Sequence, residues 1–547
     1  MIDLEAVNRD YRATREHFRI DVPERFNLGF DVVDRWAATA DKAAILAVSR
    51  DGETATPIAF SALSERTNRF ANALMTLGAA PGDFACVVIG RVPAWYTVLI
   101  GCMKAGVVSM PGTTLLTAKD IAYRIGRSDA TLVIVTPEHC DKVDAIRGEC
   151  PTLKHFIVAG PERPGWLSLD SLCAAASPVL RREDAPDLKS TDMMMAYFTS
   201  GTTSYPKMVP RDFGYGLAHA ATGLFWMDLR RDDLHWTLTD TGWAKAAWGM
   251  LFPQMLIGAT TVLYDGAGFD ADFHLRLIEK LGITTFCAPP TAYRMFVQLD
   301  LRQYDLSKVR RSMSAGEPLN PEVIRYWQQN TGSVVADGYG QTETVNIVAN
   351  YPGEEVRFGS MGRPVPGFDI DVVDDDGNRL PDGDVGHIAV RLTDSWPAGL
   401  FHGYYTKDGL DTDAFRNGWY YTGDTASRDK DGYLWFVGRA DDLISSAGYR
   451  ISPFEVESIL IEHPAVVESV VVGKPDATRG EIVKAFIVLA NTHEASDELA
   501  AEIQEFCKKT TAPYKYPREI EFVEGLPKTI SGKIRRVELR GGVMREP

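Results

Sequence analysis

TAKDIAYRIGRSDATLVIVT, residues 117–136, sets a helix-forming segment directly before a short apolar run. Helices alternating with short apolar runs imply parallel strands joined by crossover helices. The alternation continues on both sides of this stretch. Upstream, DVVDRWAATA (31–40) and FSALSERTNRFANALMTLGA (60–79) read as helices, ACVVIG (85–90) as a strand, and WYTVLIGCMKAGVVSMPG (95–112) as a buried helix followed by a strand. Downstream, MMMAYF (193–198), an amphipathic helix around 214–225, TTVLYD (260–265), HLRLIEKLG (274–282) and ITTFCAPP (283–290) make a second cycle. Two layered α/β subdomains and one larger mixed domain both satisfy this pattern.

Between 355 and 437 the texture changes to short β runs broken by turn residues, as in FDIDVVDDDGNRLPDGDVGHIAVRL and GWYYTGDTASRDKDGYLWFVGR. DDDGN and RDKDG are turn chemistry, so hairpins are expected there. After GRADD (438–442) a tail of α+β alternation follows: PFEVESILIEH and DELAAEIQEFCKK as helices, VVESVVVG, EIVKAFIVLA and EIEFVE as strands. The reading is therefore an α/β protein: a large N-terminal domain over 1–440 containing two α/β layered subdomains and a small β-rich subdomain, then a C-terminal α+β domain over 441–547.

With 547 residues, two or more domains are expected, because single cores stop growing near roughly 250–300 residues. A formal charge of -16 disfavours nucleic acid and anionic membrane as partners, so any phosphate chemistry must rest on local cations and backbone amides. The longest apolar run is interrupted at Lys104, short of the ~20 residues a spanning helix needs. Seven cysteines, at 86, 102, 140, 150, 173, 287 and 507, show no CxxC spacing and suggest reduced thiols. Together with an N-terminus of mixed acids and arginines, this leads to the expectation of a cytoplasmic protein.

TSGTTSYPKMVP (199–210) follows MMMAYF with a loop of hydroxyl groups, a glycine and a lysine. Gly201 and Lys207 are spaced as in a P-loop, but Pro206 and Met208 stand where that motif has glycine and Ser/Thr, and two prolines block the following helix. Such a loop still offers donors and a positive charge to a polyphosphate. Read alone, it is equally a polar surface loop.

SAGEPLNPE (314–322), DGYGQTET (337–344), YYTGD (420–424), GRADDLISSAGYRISPFEVE (438–457) and PKTISGKIRR (527–536) follow it in that order. With these the chain resembles the adenylate-forming superfamily of acyl-CoA synthetases, peptide-synthetase adenylation domains and luciferases, over nearly its whole length from about residue 30. TDTGW, APYKYPREIEF and SSAGYRISPFEVE look most like the medium-chain acyl-CoA synthetase branch. The departure is Ser204, where the family has glycine; serine reaches less of the positive-φ region.

The resemblance implies an ATP-dependent acid:CoA ligase that uses Mg²⁺ and coenzyme A on medium-chain, branched or aromatic carboxylates. Thr199, Ser200, Gly201, Thr202, Thr203, Ser204 and Lys207 would close over the β- and γ-phosphates, and Gly316, Glu317 and Pro318 would wall the adenine. In DGYGQTET, Asp337, Gly338, Gly340 and Gln341 belong to the ATP-binding segment, Tyr339 would stack on adenine, Thr342 would reach the α-phosphate and Glu343 the Mg²⁺. Asp424 would hold the ribose hydroxyls, Arg439 the ribose or phosphate, and Lys533 would stabilise the adenylation transition state between two anions.

Asp441 would be the hinge of a mobile C-terminal domain, and Gly448 would line the pantetheine channel. Ser446, Ala447, Arg450, Arg479 and Lys508 match positions that contact CoA, while Trp243, with Gly338 at its border, would face the acyl chain. Lys528, Arg535 and Arg536 would face solvent or support the tail. Homo-oligomerisation is left open. The competing readings are a free-standing adenylation enzyme with another acceptor, a luciferase-like oxygenase, and a catalytically silent nucleotide- or acyl-binding protein.

Overall fold

Parallel pairing of short buried strands organises the protein, in a computed structural model that describes residues 10–199, 206–266, 268–317, 319–393, 395–447, 449–490, 493–512, 514–528 and 534–543. Two compact units divide the chain. One takes Met1–Thr199, Lys207–Asp369 and Leu392–Asp413; the other takes Ser200–Pro206, Ile370–Arg391 and Ala414–Pro547.

The first unit holds two nine-stranded sheets. In one, Val108–Pro111, Phe84–Val88, Leu132–Val135 and His155–Val158 run parallel. Leu132–Val135 and Val108–Pro111 are buried at every position, as strands covered on both faces must be. The helix leading into Leu132 spans Ala118–Ser128 and starts at a reciprocal cap: the Thr117 hydroxyl accepts the Asp120 N–H at 3.3 Å, and the Asp120 carboxylate accepts the Thr117 N–H at 3.0 Å. Ile121 and Ile125, one turn apart, face the core.

The second sheet lays Ala43–Val48, Thr260–Tyr264, Leu234–Thr237, Thr285–Cys287, Arg311–Ala315 and Val335–Gly340 side by side in parallel. The α/β layering is as read from the sequence, but the two cycles are interleaved. Met193–Phe198, read as opening the second cycle, joins the first sheet beside Val108–Pro111, and Ala43–Val48 crosses to the second sheet. Apolar runs report burial, whereas the neighbour a parallel strand chooses depends on non-local packing.

Lys104, which interrupts the apolar run, is buried at the end of the helix Ala94–Ala105. Its ammonium donates to Asp34 Oδ1 and Asn68 Oδ1, both at 2.6 Å. The stem passes directly over Gly29, where a Cβ would lie 2.6 Å from Lys104 Cε. Burial pulls the lysine below its ordinary pKa, and Asp34 opposes that shift. The charge thus ties helix Ala94–Ala105 to Asp34 and to the helix Phe60–Thr76, which carries Asn68.

In the second unit, Ile370–Val373 pairs antiparallel with Val385–Arg391 after the DDDGN turn, and Trp419–Arg428 with Leu434–Arg439 across RDKDG. The tail builds a separate five-stranded sheet from Ile444–Ser446, Tyr449–Ile451, Val466–Asp476, Gly480–Leu489 and Glu519–Phe522. Helices Pro453–Ile461 and Asp497–Thr510 share its core through Val456, Leu460, Ile503 and Cys507. No described helix is long and apolar enough to cross a membrane.

Lys104→Met is expected to lower unfolding stability by on the order of 3 kcal/mol, because it strips a buried pair of one partner. Denaturant unfolding of the two proteins measures this, and an unchanged midpoint would contradict it.

Candidate active site

In an open parallel sheet, ligands bind beyond the carboxyl ends of the strands. The first unit gathers Thr199, Leu238–Trp243, Gly316–Glu317 and Gly340–Glu343 at such ends. Met193–Phe198 and Met208–Asp212 form a hairpin, so the loop between them is closed at its base: the Thr199 N–H donates to the Lys207 carbonyl at 2.9 Å. Ser200, Gly201, Thr202, Thr203 and Ser204 lie outside the described residues. Lys207 is exposed, with its ammonium 4.3 Å from the centre of the Tyr404 ring and 3.6 Å from the Asp411 carboxylate.

The Tyr404 hydroxyl donates to Glu343 Oε1 at 2.8 Å. Glu343 is buried, and its backbone carbonyl accepts from Arg211 Nη1 at 2.8 Å and from the Phe401 N–H at 2.9 Å. Arg211 is 2% exposed; it also donates to the Gly399 carbonyl and stacks 3.8 Å above the Tyr215 ring. Desolvation lowers its pKa, yet a guanidinium stays charged. Lys207, Tyr404 and Glu343 therefore form one connected set, held from behind by Arg211. Sequence reading overlooked Arg211 and Tyr404. Strand alternation puts Arg211 on the same face as buried Val209, but an arginine there is read as solvated until its acceptors are visible.

Within DGYG, a Cβ at Gly338 would come within 2.5 Å of Trp226, and one at Gly340 would collide with the Val345 carbonyl. Both glycines are required by close approach. The Gly338 N–H donates to Asp337 Oδ1 at 2.8 Å. Asp337 is buried, and desolvation pushes its carboxyl up to about 8 despite that bond and the field of Lys245. Tyr339 and Thr342 are half-buried; the Gln341 N–H donates to the Thr344 hydroxyl at 2.9 Å. Gly316 sits at φ 105° with open space around it, so its need is conformational. Glu317 lies 3.7 Å from Arg294, and Pro318 is outside the described residues.

TDTGW closes the gap between the two sheets of this unit. Asp240 accepts from the Thr113 hydroxyl at 2.9 Å and the Gly242 N–H at 2.8 Å, and a Cβ at Gly242 would overlap the Thr113 backbone. Trp243 follows, half-buried, opening the short helix Ala244–Ala246. Trp248 meets Trp226 edge to face at 5.0 Å.

In the second unit Asp424 is buried in strand Trp419–Arg428, in register with Arg439. Arg439 Nε lies 3.5 Å from Asp424 and 3.6 Å from Asp441, whose side chain is exposed. The Asp441 carbonyl accepts from Arg540 at 3.4 Å, and Arg540 also pairs with Asp442 at 2.7 Å. Lys533 and Gly448 are outside the described residues. Arg536 does support the tail: it reaches both Glu457 oxygens at 2.7 Å. Lys528 pairs with Glu468 at 2.7 Å and Arg535 with Glu538.

Ser446, Ala447 and Arg479 come together. Ser446 pairs with Gly480, and Ala447, in the left-handed region at φ 50°, donates its N–H to the Arg479 carbonyl at 2.8 Å. Arg450 pairs in register with Ser445. Lys508 lies on helix Asp497–Thr510, paired with Glu505 and 4.5 Å from the Tyr516 ring.

Because the folded chain holds a proton on Asp337 that the unfolded chain releases near pH 4, this residue destabilises the fold as pH rises from about 5 toward 8. Asp337→Asn is expected to flatten that slope by up to about 3 kcal/mol over this window. Denaturant unfolding at both pH values checks it; parallel slopes in the two proteins would refute it.

Comparison with known proteins places this geometry. The AMP-binding enzyme family matches residues 33–405, and the AMP-binding enzyme C-terminal domain matches residues 455–533. The chain is 44% identical over 549 residues to acyl-coenzyme A synthetase ACSM4, mitochondrial, of Rattus norvegicus, covering 98% of this chain and 93% of the relative. It is 42% identical over 543 residues to acyl-coenzyme A synthetase ACSM3, mitochondrial, of Mus musculus, covering 97% and 93%. Among solved structures, an anthranilate CoA ligase, AuaEII, in complex with anthranoyl-AMP superposes with TM-score 0.87 at 32% identity, covering 96% of this chain and 98% of that one. A benzoate CoA ligase from Burkholderia xenovorans LB400 gives 0.81 at 29%, covering 94% and 100%.

The cytoplasmic expectation is corrected here, since these curated relatives are mitochondrial proteins. The cysteine argument behind it had no power to discriminate. All seven thiols are free and buried, which suits any compartment that spares inaccessible sulfur. From sheets, motifs and near-full-length identity together, the chain belongs to the AMP-binding enzyme family, among the acyl-coenzyme A synthetases.

Proposed function

We propose that the protein activates medium-chain, branched or aromatic carboxylic acids, first as acyl-adenylates and then as CoA thioesters. The observation that carries this is the connected set Lys207–Tyr404–Glu343 beside the base of the hydroxyl loop, a cation and an oriented carboxylate next to the residues this reading gives to the phosphates. In the first step a carboxylate oxygen attacks the α-phosphorus of ATP, the bond to the bridging oxygen breaks, and pyrophosphate leaves. In the second, the CoA sulfur attacks the adenylate carbonyl, its proton is lost, and AMP leaves.

Thr199, Ser200, Gly201, Thr202, Thr203, Ser204 and Lys207 are assigned to the β- and γ-phosphates, and Thr342 to the α-phosphate. Gly316, Glu317, Pro318 and Tyr339 are assigned to adenine, Asp337, Gly338, Gly340 and Gln341 to the ATP-binding segment, Asp424 to the ribose, and Arg439 to the ribose or phosphate. A buried carboxylate oriented by a phenol is a fitting oxygen ligand for Mg²⁺. Among the described residues no cluster of three or more His, Cys, Asp or Glu could hold a metal by itself. Glu343 would therefore hold Mg²⁺ together with phosphate oxygens, and the ion would neutralise charge on the polyphosphate.

Lys533 is assigned to the adenylation transition state, where two anions must approach. Asp441 is assigned as the hinge about which residues 441–547 turn between the half-reactions, so that lysine and thiol act in sequence. Ser446, Ala447, Gly448, Arg450, Arg479 and Lys508 are assigned to CoA, and Trp243 with Gly338 to the acyl chain.

AMP release should require ATP, an acid and CoA together; a panel of acids from C2 to C12 plus benzoate identifies the preferred chain, and AMP formed without CoA turnover would point to another acceptor. Lys533→Ala should reduce acid-dependent exchange of pyrophosphate into ATP by about 10²-fold or more; exchange surviving that change would remove Lys533 from the mechanism. Tyr404→Phe, which keeps the ring under Lys207 but deletes the bond to Glu343, should raise the Mg²⁺ concentration needed for tight ATP binding by roughly 3- to 10-fold in calorimetric titrations, with metal-free ATP binding unaltered. Equal shifts with and without metal would contradict the role given to Tyr404.

A further inference from the structure

Beyond Trp243 the chain is not an ordinary helix. The short helix Ala244–Ala246 runs into a π-helical turn over Ala247–Leu251, and an α-helix resumes at Phe252–Ile257. Single π turns are rare and are frequent at functional sites. This one is held from two sides. A Cβ at Gly249 would lie 2.6 Å from Thr237, so the turn rests on the end of strand Leu234–Thr237, and the fully buried Gln254 donates to the Trp248 carbonyl at 3.2 Å. Ala247, Gly249, Met250 and Leu251 are buried, and Trp248 alone in the turn is half-buried. A pinned backbone therefore presents one indole with part of its surface open.

That indole belongs to a closed circuit of contacts. Trp248 meets Trp226 edge to face at 5.0 Å. Trp226 is fully buried, is anchored by its bond to the Ala336 carbonyl at 3.1 Å, and fills the place a side chain on Gly338 would take, with Asn346 beside it. Gly338 stands opposite Ala315 in register. The Ala315 carbonyl accepts from Lys245, whose ammonium lies 5.5 Å from the centre of the Trp248 ring. The circuit Trp248–Trp226–Gly338–Ala315–Lys245 thus closes at the carboxyl ends of strands Arg311–Ala315 and Val335–Gly340. A group bordering Gly338 finds no depth on that glycine's side-chain face, because Trp226 and Asn346 occupy it. Close-packed aromatic rings fixed at backbone and ring do not give way to a longer guest without strain.

We infer that Trp248 is a specificity-determining residue that ends the acyl cavity, so that the enzyme selects short or single-ring carboxylic acids and rejects long linear ones. The inference rests on the acyl-CoA ligase reading and on Gly338 bordering the acyl group. Trp248 takes no part in the bond-making steps; it discriminates by clash.

The test is kcat/KM for benzoate, butanoate and decanoate, read by AMP formation, in the wild type, Trp248→Ala and Trp248→Phe. The wild-type enzyme should favour the better of the two compact acids over decanoate by about tenfold or more. Trp248→Ala should raise kcat/KM for decanoate itself by about tenfold, and Trp248→Phe by less, with the KM for ATP within about twofold throughout. A gain on the long acid cannot arise from loss of folded protein. A wild type without that preference for a compact acid, a Trp248→Ala enzyme without a gain on decanoate, or a change expressed in the KM for ATP would each overturn the proposal while leaving the ligase reading intact. AMP formation from neither these acids nor the C2 to C12 panel would overturn the ligase reading and this inference with it.

Discussion

One buried guanidinium ties together the segments that build the candidate site in the first unit. Arg211 has its charge in the protein interior, stacked on Tyr215, and spends its donors on the carbonyls of Glu343 and Gly399. Those carbonyls belong to segments far apart in sequence, the QTET turn and the 392–413 stretch. An ion this deeply placed is tolerable only if its donors are met, which makes both backbone positions obligatory. Phe401 then bonds the same Glu343 carbonyl, and the chain reaches Tyr404 in position to orient the Glu343 carboxylate. The only charge in the set left to solvent is that of Lys207, the one assigned to ATP.

A second constraint works by the absence of side chains. Gly242 lets TDTGW lie against the Thr113 backbone, with Asp240 gripping the Thr113 hydroxyl and the Gly242 amide. Gly338 and Gly340 play the same part beside Trp226 and the Val345 carbonyl. The site therefore rests on backbones brought to contact distance at strand ends, with few polar side chains to align. Loop positions on a rigid sheet edge can then differ in chemistry without disturbing the sheet.

Much of this was legible in the chain. The apolar run at Leu132–Val135, the DDDGN and RDKDG hairpins and the alternating tail follow from short-range rules of periodicity and turn chemistry, and the structure realises each of them. The motifs named the candidate site through their resemblance, in order, to those of the adenylate-forming family. Compartment was not legible: buried thiols carry no address.

By itself, then, the sequence determined the element types and the hairpins, since those depend on neighbours within a few positions, and it pointed to the family through its ordered short motifs. Only the tertiary structure decided that Met193–Phe198 joins the first sheet and Ala43–Val48 the second, that Lys104 and Arg211 are buried rather than solvated, and that Tyr404 meets Glu343. The reason is that periodicity records whether a residue is buried, while strand neighbours and the partners of a buried charge are chosen across hundreds of residues by packing and by the need to satisfy every desolvated donor.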